Sequence, residues 1–319
     1  MIDKNTTCWI ITEGMAGTEN QCIGVAQALG VEPVIKRIKL KSPWKELAPH
    51  FCFLSKYCLD EESDDLSEPY PELIISAGRK AAIPSLYIKK ASKGKTSVVQ
   101  LLDPRCNPKK FDLVALPQHD PTRGKNVVVT TGALHKLTPS KLLEAEREFE
   151  KTIENLPKPR VAVLIGGSSK HHTMTEEITT KLADQLLQLK SVGLMVTASR
   201  RTGEKNTKLL REKLDASHIY FWDNQGYNPY FAFLSMADYI IVTEDSVSMA
   251  SEAISTGKPV YVIPLEGGAK RNDLFHKLLR EQGYTKPFEG KLEMWAYDTP
   301  NDTLKVAKEI KKLLESKKK

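Results

Sequence analysis

Serine and acidic residues follow an apolar segment in the second half of the chain, and their spacing indicates a phosphate site. The segment is IIVTEDSVSMASEAISTGKPVYVIP, residues 240–264. It predicts a short strand, a helix capped by Asp245 or Ser246, a Gly-Lys-Pro break and a second strand. Free backbone amides and the helix dipole at such a helix start favour an anion. Glu252 lies about one and a half turns further on, within reach of a ribose.

The same pattern also fits a strand–helix–strand unit without a ligand, so the other strand ends have to be considered. GGSSKHHT, residues 166–173, follows one predicted strand and offers backbone amides, but it matches neither a P-loop nor GxGxxG. Arg200 and Arg201 follow the next strand and can hold a diphosphate through bidentate hydrogen bonds. WDNQGYNPY, residues 222–230, follows a third strand with polar and aromatic groups suited to a nucleobase.

The carboxyl ends of parallel strands share one edge of a sheet, so we expect these segments to form one nucleotide-diphosphate site. The candidate nucleotide-binding residues are Gly167, Ser168, Arg200, Arg201, Asn224, Asp245, Ser246, Ser248 and Glu252. The adjacent His171 and His172 lack a convincing third ligand, so we expect no metal and no cofactor.

Strand-end loops of the first half are candidates for the acceptor side and for a general base. EGMAGTENQ, residues 13–21, and SAGRK, residues 76–80, each combine glycine with charged residues after a predicted strand. The acceptor-side candidates are Gly14, Gly17, Arg79, Lys80 and His135. The catalytic candidates are Glu13, Asp103 and His119, with Asp120 and His135 as alternatives among which the sequence does not choose.

Strands and helices that alternate along the whole chain must position these residues. This alternation predicts an α/β protein with two doubly wound, Rossmann-like domains. The prolines at residues 157 and 159 suggest a boundary, which gives an acceptor-side domain at 1–156 and a nucleotide-donor domain at 157–300. Residues 301–319 are predicted to form a helix with one apolar face. We expect this face to pack against another part of the chain, and the first domain is a candidate.

Composition describes a globular protein with neither a disulfide framework nor a membrane span. The 319 residues are 40% hydrophobic and 27% charged, and the five cysteines include no CxxC pair. No apolar run approaches the ~20 residues of a membrane helix, and the N-terminus lacks a signal pattern, so we expect a cytoplasmic location. The net charge of +7 fits a solvated basic face, or attraction to an anionic nucleotide or a lipid surface at which the protein is peripheral. We expect no nucleic acid partner.

The sequence contains the motifs SAGRKAAIPSL, LLDPR, LPQHD, TTGALH, GGSSKHH, SRRT, NPY and TEDSVSMASEAISTGKPVYVIP. In these motifs the chain resembles the GT-B glycosyltransferases, and more specifically the mitochondrial fission ELM family and its bacterial relatives. The resemblance implies two Rossmann-like domains that face a central cleft. It places Ser246 and Ser248 at a diphosphate, Glu252 at the donor ribose, and Gly167, Ser168 and Arg201 at the phosphates.

These features together predict a metal-independent glycosyltransferase that uses a nucleoside-diphosphate sugar, with UDP favoured. The acceptor is unknown, and a membrane-associated acceptor is one option. One alternative is a non-catalytic protein of GT-B fold that binds a protein partner in fission or envelope processes. A second alternative is a sugar-nucleotide epimerase.

Overall fold

The chain folds into two compact units, which are described separately. A computed structural model describes residues 6–48, 58–222 and 224–317. Unit 1 comprises Met1–Lys136 and Asn301–Lys319, and unit 2 comprises Leu137–Pro300. No helix within the described ranges is both long and apolar enough to cross a membrane.

Unit 1 contains a six-stranded parallel sheet in the order β2-β1-β3-β4-β5-β6. The strands are β1 (Cys8–Thr12), β2 (Pro33–Arg37), β3 (Leu73–Ala77), β4 (Ser97–Leu101), β5 (Leu113–Pro117) and β6 (Val127–Thr130). The helices are α1 (Ala16–Leu29), α2 (Trp44–Leu47), α3 (Ala82–Ala91) and the C-terminal α10 (Asp302–Lys317). β3, β4 and β5 are buried along their whole length, as strands covered on both faces must be.

Alternate residues of the unit 1 strands face two separate hydrophobic layers. Ile10 and Ile75 pack with α1 and with Ile310 of α10 on one face. Ile11 and Ile74 pack with α3 on the other face. The helices on both faces make this unit doubly wound.

Unit 2 contains a second six-stranded parallel sheet, in the order β10-β9-β7-β11-β12-β14. Its strands are β7 (Arg160–Ile165), β9 (Gly193–Ala198), β10 (Ile219–Phe221), β11 (Tyr239–Thr243), β12 (Val260–Ile263) and β14 (Thr285–Pro287). A two-residue ribbon pairs β8 (His172–Thr173) with β13 (Glu266–Gly267). The helices are α4 (Pro139–Phe149), α5 (Glu176–Leu187), α6 (Glu204–Lys213), α7 (Tyr230–Met236), α8 (Val247–Ile254) and α9 (Lys270–Glu281).

The unit 2 sheet also lies between two hydrophobic layers. One layer packs Leu164 and Val242 against α4, α7, α8 and α9, with Phe233 and Phe275 fully buried. The other packs Ile165 against α5 and α6. The predicted α/β fold with two doubly wound domains is therefore confirmed.

The division into units differs from the predicted boundary after residue 156. α4 belongs to unit 2, because Phe149 packs edge-on against Tyr220 and Phe233, and Ser235 Oγ donates a hydrogen bond to Glu146 Oε2 at 2.6 Å. The proline segment also lies inside unit 2, since the Arg160 guanidinium donates to two carbonyl groups just before it. The packing of α4 on unit 2 therefore sets the start of this unit, although the prolines at residues 157 and 159 suggested a later boundary.

Several elements differ from the sequence prediction. After the SAGRK segment, α3 begins only at Ala82, because Gly78 has φ +83° and residues 79–81 form a turn. α2, α7, α9, β14 and the β8–β13 ribbon were not predicted. α10 belongs to unit 1, where Asp302 Oδ2 accepts hydrogen bonds from the amides of Thr131 (2.8 Å) and Gly132 (3.1 Å).

Candidate functional site

The strand order of unit 2 creates a switch point between β7 and β11. If the six strands of the sheet are numbered by their order in the chain, their order across the sheet is 3-2-1-4-5-6. This is the strand order of dinucleotide-binding folds. The connections from β7 and from β11 leave in opposite directions, so a crevice opens at their carboxyl ends. The loops that begin at Gly166 and at Glu244 therefore meet at the place where such sheets bind ligands.

The peptide groups of Gly166 are held from both neighbouring loops. Its amide donates to Thr243 Oγ1 at 2.7 Å. Its carbonyl accepts from Ser199 Oγ and Thr202 Oγ1, each at 2.6 Å. A Cβ at this position would lie 2.3 Å from the Asp245 carboxylate. Glycine is required here because three strand-end loops pack against one another.

Asp245 connects the same loops through charge. Its Oδ1 accepts from Thr243 Oγ1 at 2.6 Å, and its Oδ2 lies 2.5 Å from Arg201 Nη2. The Asp245 side chain is fully buried, whereas 48% of the Arg201 side chain is exposed. Asp245 thus orients Arg201, and the exposed part of the guanidinium remains available to an anion.

Gly167 and Ser168 belong to the loop after β7, and their backbone packs against the loop after β9. Gly167 has φ +142°, and a Cβ there would lie 2.2 Å from the Arg201 carbonyl oxygen. The Ser168 amide donates to that oxygen at 2.9 Å, and Ser168 Oγ accepts from the Met174 amide at 3.0 Å. The backbone amide of Ser168 therefore serves the loop itself rather than a ligand.

The N-terminus of α8 points its first amides toward the crevice end of β11. Ser246 is the N-cap, and its Oγ accepts from the Met249 amide at 3.3 Å. Ser248 is half-buried in the first turn, where helix geometry leaves amides without intrahelical acceptors. Glu252 lies one turn further, and its Oε2 accepts from Tyr230 Oη at 2.5 Å. Burial and the Glu252 carboxylate raise the pKa of Tyr230 well above its usual value.

A buried polar network supports the Glu244 end of this loop. The Glu244 carbonyl accepts from Asn272 Nδ2 at 2.8 Å and from His276 Nε2 at 2.7 Å. Asn272 Nδ2 also lies 3.1 Å from Nε2 of the buried His172. Burial lowers the pKa of His276 to about 4, so this histidine is neutral at pH 7, and burial raises the pKa of Glu244. His172 and His276 therefore have structural positions around the loop.

Two predicted nucleotide residues lie elsewhere in unit 2. Arg200 and Asn224 line a cavity beside α6 whose lining does not include Arg201, Asp245 or α8. Tyr227, which follows Asn224 in the segment 222–230, stacks on Phe149 of α4 with ring centroids 6.2 Å apart. Asp223 is outside the described residues.

Unit 1 has its own switch point, between β1 and β3. Glu13 follows β1, Lys80 follows β3, and Lys80 Nζ lies 2.5 Å from Glu13 Oε1 with both side chains about four-fifths buried. Gly14 has φ +80° and donates to Thr12 Oγ1 at 3.2 Å. Arg79 Nη1 donates to the Ala48 carbonyl at 3.4 Å, and Gly17 lies within α1.

The remaining base candidates follow β4, β5 and β6. Asp103 is buried, and its Oδ1 accepts from the Arg105 amide at 2.8 Å and from Thr122 Oγ1 at 3.0 Å, which joins the loops after β4 and β5. His119 is half-buried in the turn after β5. His135 lies away from this group, because its backbone is hydrogen bonded to Thr303 of α10.

Several residues of the unit 2 site were not identified in the sequence. Thr243 follows the predicted strand, and nothing but its hydroxyl group marked it as a residue of the site. Ser199 and Thr202 form a capping box around the 3-10 turn of Arg200 and Arg201, a pattern that can be recognised as S-x-x-T. Tyr230 belongs to the segment predicted to suit a nucleobase, and its contact with Glu252 was not expected from the sequence. Within the described ranges, no group of three or more His, Cys, Asp or Glu side chains could hold a metal.

The two doubly wound units define a GT-B fold. MurG of Acinetobacter baumannii has this fold with a TM-score of 0.52 and 15% identity, over 97% of this chain and 92% of that one. UDP-GlcNAc 2-epimerase from Neisseria meningitidis, solved bound to UDP-GlcNAc, has a TM-score of 0.53 and 14% identity, over 97% of this chain and all of that one.

The chain belongs to the mitochondrial fission ELM1 family, whose model matches residues 16–314. A relative is the mitochondrial fission protein ELM1 of Arabidopsis thaliana, which is 27% identical over 96% of this chain and 90% of the plant protein. The resemblance predicted from the motifs is thereby confirmed.

Proposed function

We propose that this protein transfers a glycosyl group from a nucleoside-diphosphate sugar, with UDP as the favoured nucleotide, to an acceptor bound by unit 1. The observation that carries the proposal is the unit 2 switch point. There the half-exposed Arg201, oriented by the buried Asp245, and the start of α8 lie on adjacent loops. Both favour negative charge, and charge develops on the diphosphate as the glycosidic bond breaks.

In this proposal Glu252 binds the donor ribose, and Ser248 with the first α8 amides binds the diphosphate. Tyr230 Oη donates a hydrogen bond to Glu252 Oε2 and thereby orients the carboxylate that the proposal assigns to the ribose. The acceptor oxygen bonds to the anomeric carbon, the bond to the diphosphate breaks, and a unit 1 base takes the acceptor proton. Glu13, Asp103 and His119 remain the candidates for that base, with no metal required.

Calorimetric titration with UDP tests the donor site. The wild type should bind UDP saturably, Glu252→Ala should weaken binding about tenfold or more, and 2′-deoxy-UDP should bind the wild type more weakly than UDP does. The matched control is Glu212→Ala, an exposed glutamate of α6 whose ion pair with Lys208 spans 3.8 Å. The proposal fails if no nucleoside diphosphate binds, or if the control weakens binding equally.

Epimerisation of a sugar nucleotide is a second candidate, because a neighbour of the same fold is a UDP-GlcNAc 2-epimerase solved with UDP-GlcNAc. Incubation with a labelled nucleotide sugar distinguishes the two reactions. Epimerisation leaves the label on the nucleotide as a new sugar isomer, whereas transfer releases the nucleoside diphosphate and moves the label to an acceptor.

A non-catalytic role in binding a protein partner is the third candidate, and the name of the plant relative favours it. It predicts that a partner captured by the wild type is captured equally by Arg201→Gln and Glu252→Ala. Loss of capture in these two variants would argue against a purely structural role.

A further inference from the structure

Arg200 and Arg201 are adjacent in sequence, but their guanidinium groups serve different parts of unit 2. Arg201 pairs with Asp245 at the switch point. Arg200 instead lines a cavity of about 560 Å³ beside α6, here called the α6 cavity. Ser199 lines the same cavity while its Oγ donates to the Gly166 carbonyl, so the α6 cavity adjoins the switch-point loops.

One face of α6 and two strand-end loops form the lining. Glu204, Thr207, Lys208 and Arg211 are spaced so that they share one face of the helix. Ser199, Arg200, Gly203 and Asn224 are the other described residues of the lining. Among the described residues of the lining, the charged side chains are the cations of Arg200, Lys208 and Arg211 and the carboxylate of Glu204.

Both guanidinium groups of the lining lack a carboxylate partner. Within the described part of the chain, neither Arg200 nor Arg211 forms an ion pair, in contrast to Arg201. The Arg211 guanidinium lies 5.6 Å from the ring centroid of Phe221, which orients it over the edge strand without neutralising it. Among the described residues, Arg200 and Arg211 therefore bring two guanidinium groups without a carboxylate partner to the α6 cavity.

The N-terminus of α6 adds hydrogen-bond donors to this charge. Gly203 is the N-cap and has no side chain with which to cap the first-turn amides. It has φ +78°, and among the described atoms none lies within 4 Å of a Cβ built there, so the helix start is open. Amides at an open helix start and unpaired guanidinium groups are the donors that bind phosphate.

We propose that the α6 cavity is a second anion site, which binds the phosphate group of a phosphorylated small molecule. The Arg200 and Arg211 guanidinium groups and the first α6 amides share its oxygens. The site is separate from the donor site proposed at the switch point and does not depend on it.

Calorimetric titration of the full chain with pyrophosphate at constant ionic strength tests this site. The double variant Arg200→Gln/Arg211→Gln should lose about tenfold or more in affinity, because two charge-assisted contacts are removed. Lys205→Gln is the matched control, since this α6 lysine is exposed and pairs with Glu176 outside the cavity lining. It should change the affinity less than about twofold. Circular dichroism melting verifies that each variant is folded.

Arg201→Gln separates the α6 cavity from the switch point. Pyrophosphate affinity that survives this variant but is lost in the double variant supports the proposal. The proposal is overturned if pyrophosphate does not bind, if Lys205→Gln weakens it as much as the double variant does, or if only Arg201→Gln weakens it. Parallel titrations with orthophosphate, glucose 1-phosphate and uridine monophosphate then show whether the phosphate is free, carried by a sugar or carried by a nucleoside.

Discussion

Arg201 Nη2 lies 2.5 Å from Asp245 Oδ2, and this ion pair joins the loop after β9 to the loop after β11 across the end of β7. The pair is asymmetric, because the carboxylate is fully buried while about half of the guanidinium side chain is exposed. A buried carboxylate requires polar partners, and Asp245 finds them in Arg201 and Thr243. The same contacts direct Arg201 toward the crevice.

Asp245→Asn should lower the free energy of unfolding by about 1–3 kcal/mol. The amide keeps an acceptor for Thr243, but it loses the charge that Arg201 requires. Urea unfolding followed by circular dichroism measures the change. Asp184→Asn is the control, because its pair with Lys213 is 2.8 Å long but both side chains are partly exposed, and it should cost less than about 1 kcal/mol. Equal losses would contradict the buried role of Asp245.

Gly167→Ala should destabilise unit 2 by about 1–3 kcal/mol. A methyl group would lie 2.2 Å from the Arg201 carbonyl oxygen, and the φ of +142° disfavours any side chain. Thermal unfolding should show a lower midpoint. Gly17→Ala, in α1 with no described atom within 4 Å of the new Cβ, should leave the midpoint unchanged or raise it. A Gly167 variant as stable as this control would mean that the loops are not packed together.

Tyr230→Phe should reduce stability by about 1 kcal/mol, because the Glu252 carboxylate loses the hydroxyl that donates to it at 2.5 Å. In the proposed function it should also weaken UDP binding a few-fold, since Glu252 is no longer held. Tyr227→Phe is the matched control, because it removes the same hydroxyl group from an exposed tyrosine. We expect it to cause no measurable change in UDP affinity. Unchanged UDP binding in Tyr230→Phe with lost stability would remove the link between Tyr230 and the ribose.

Stability should fall as the pH decreases from about 6.5 to about 4 because of His276. Burial lowers its pKa in the folded protein from 6.5 to about 4, so only the unfolded chain takes up the proton in this range. The native state then loses roughly 3 kcal/mol relative to pH 7 from this group alone. Unfolding free energies of His276→Gln between pH 7 and 4.5 should show a shallower decline than those of the wild type. The exposed His171→Gln should keep the wild-type slope.

The sequence identified most of the regular elements, because local periodicity is enough to recognise them. The predicted alternation of strands and helices is present in both units. The segment 166–173 follows a strand as expected, and the segment 76–80 spans the end of one. α7 and α9 escaped prediction. α7 is a short apolar helix of seven residues, and α9 is rich in polar and charged residues. Such segments become helical through packing on the sheet, which periodicity does not report.

The sequence by itself also determined the family and the set of polar strand ends, since both are carried by motifs of neighbouring residues. Only the tertiary structure decided how these ends combine. Gly166 and Thr243 are 77 positions apart and meet because β7 pairs with β11. The same packing places α4 in unit 2 and Tyr230 against Glu252, and it pairs Arg201 with Asp245 while Arg200 lines a cavity beside α6. Strand pairing and side-chain direction depend on contacts between distant residues, and a local pattern does not specify them.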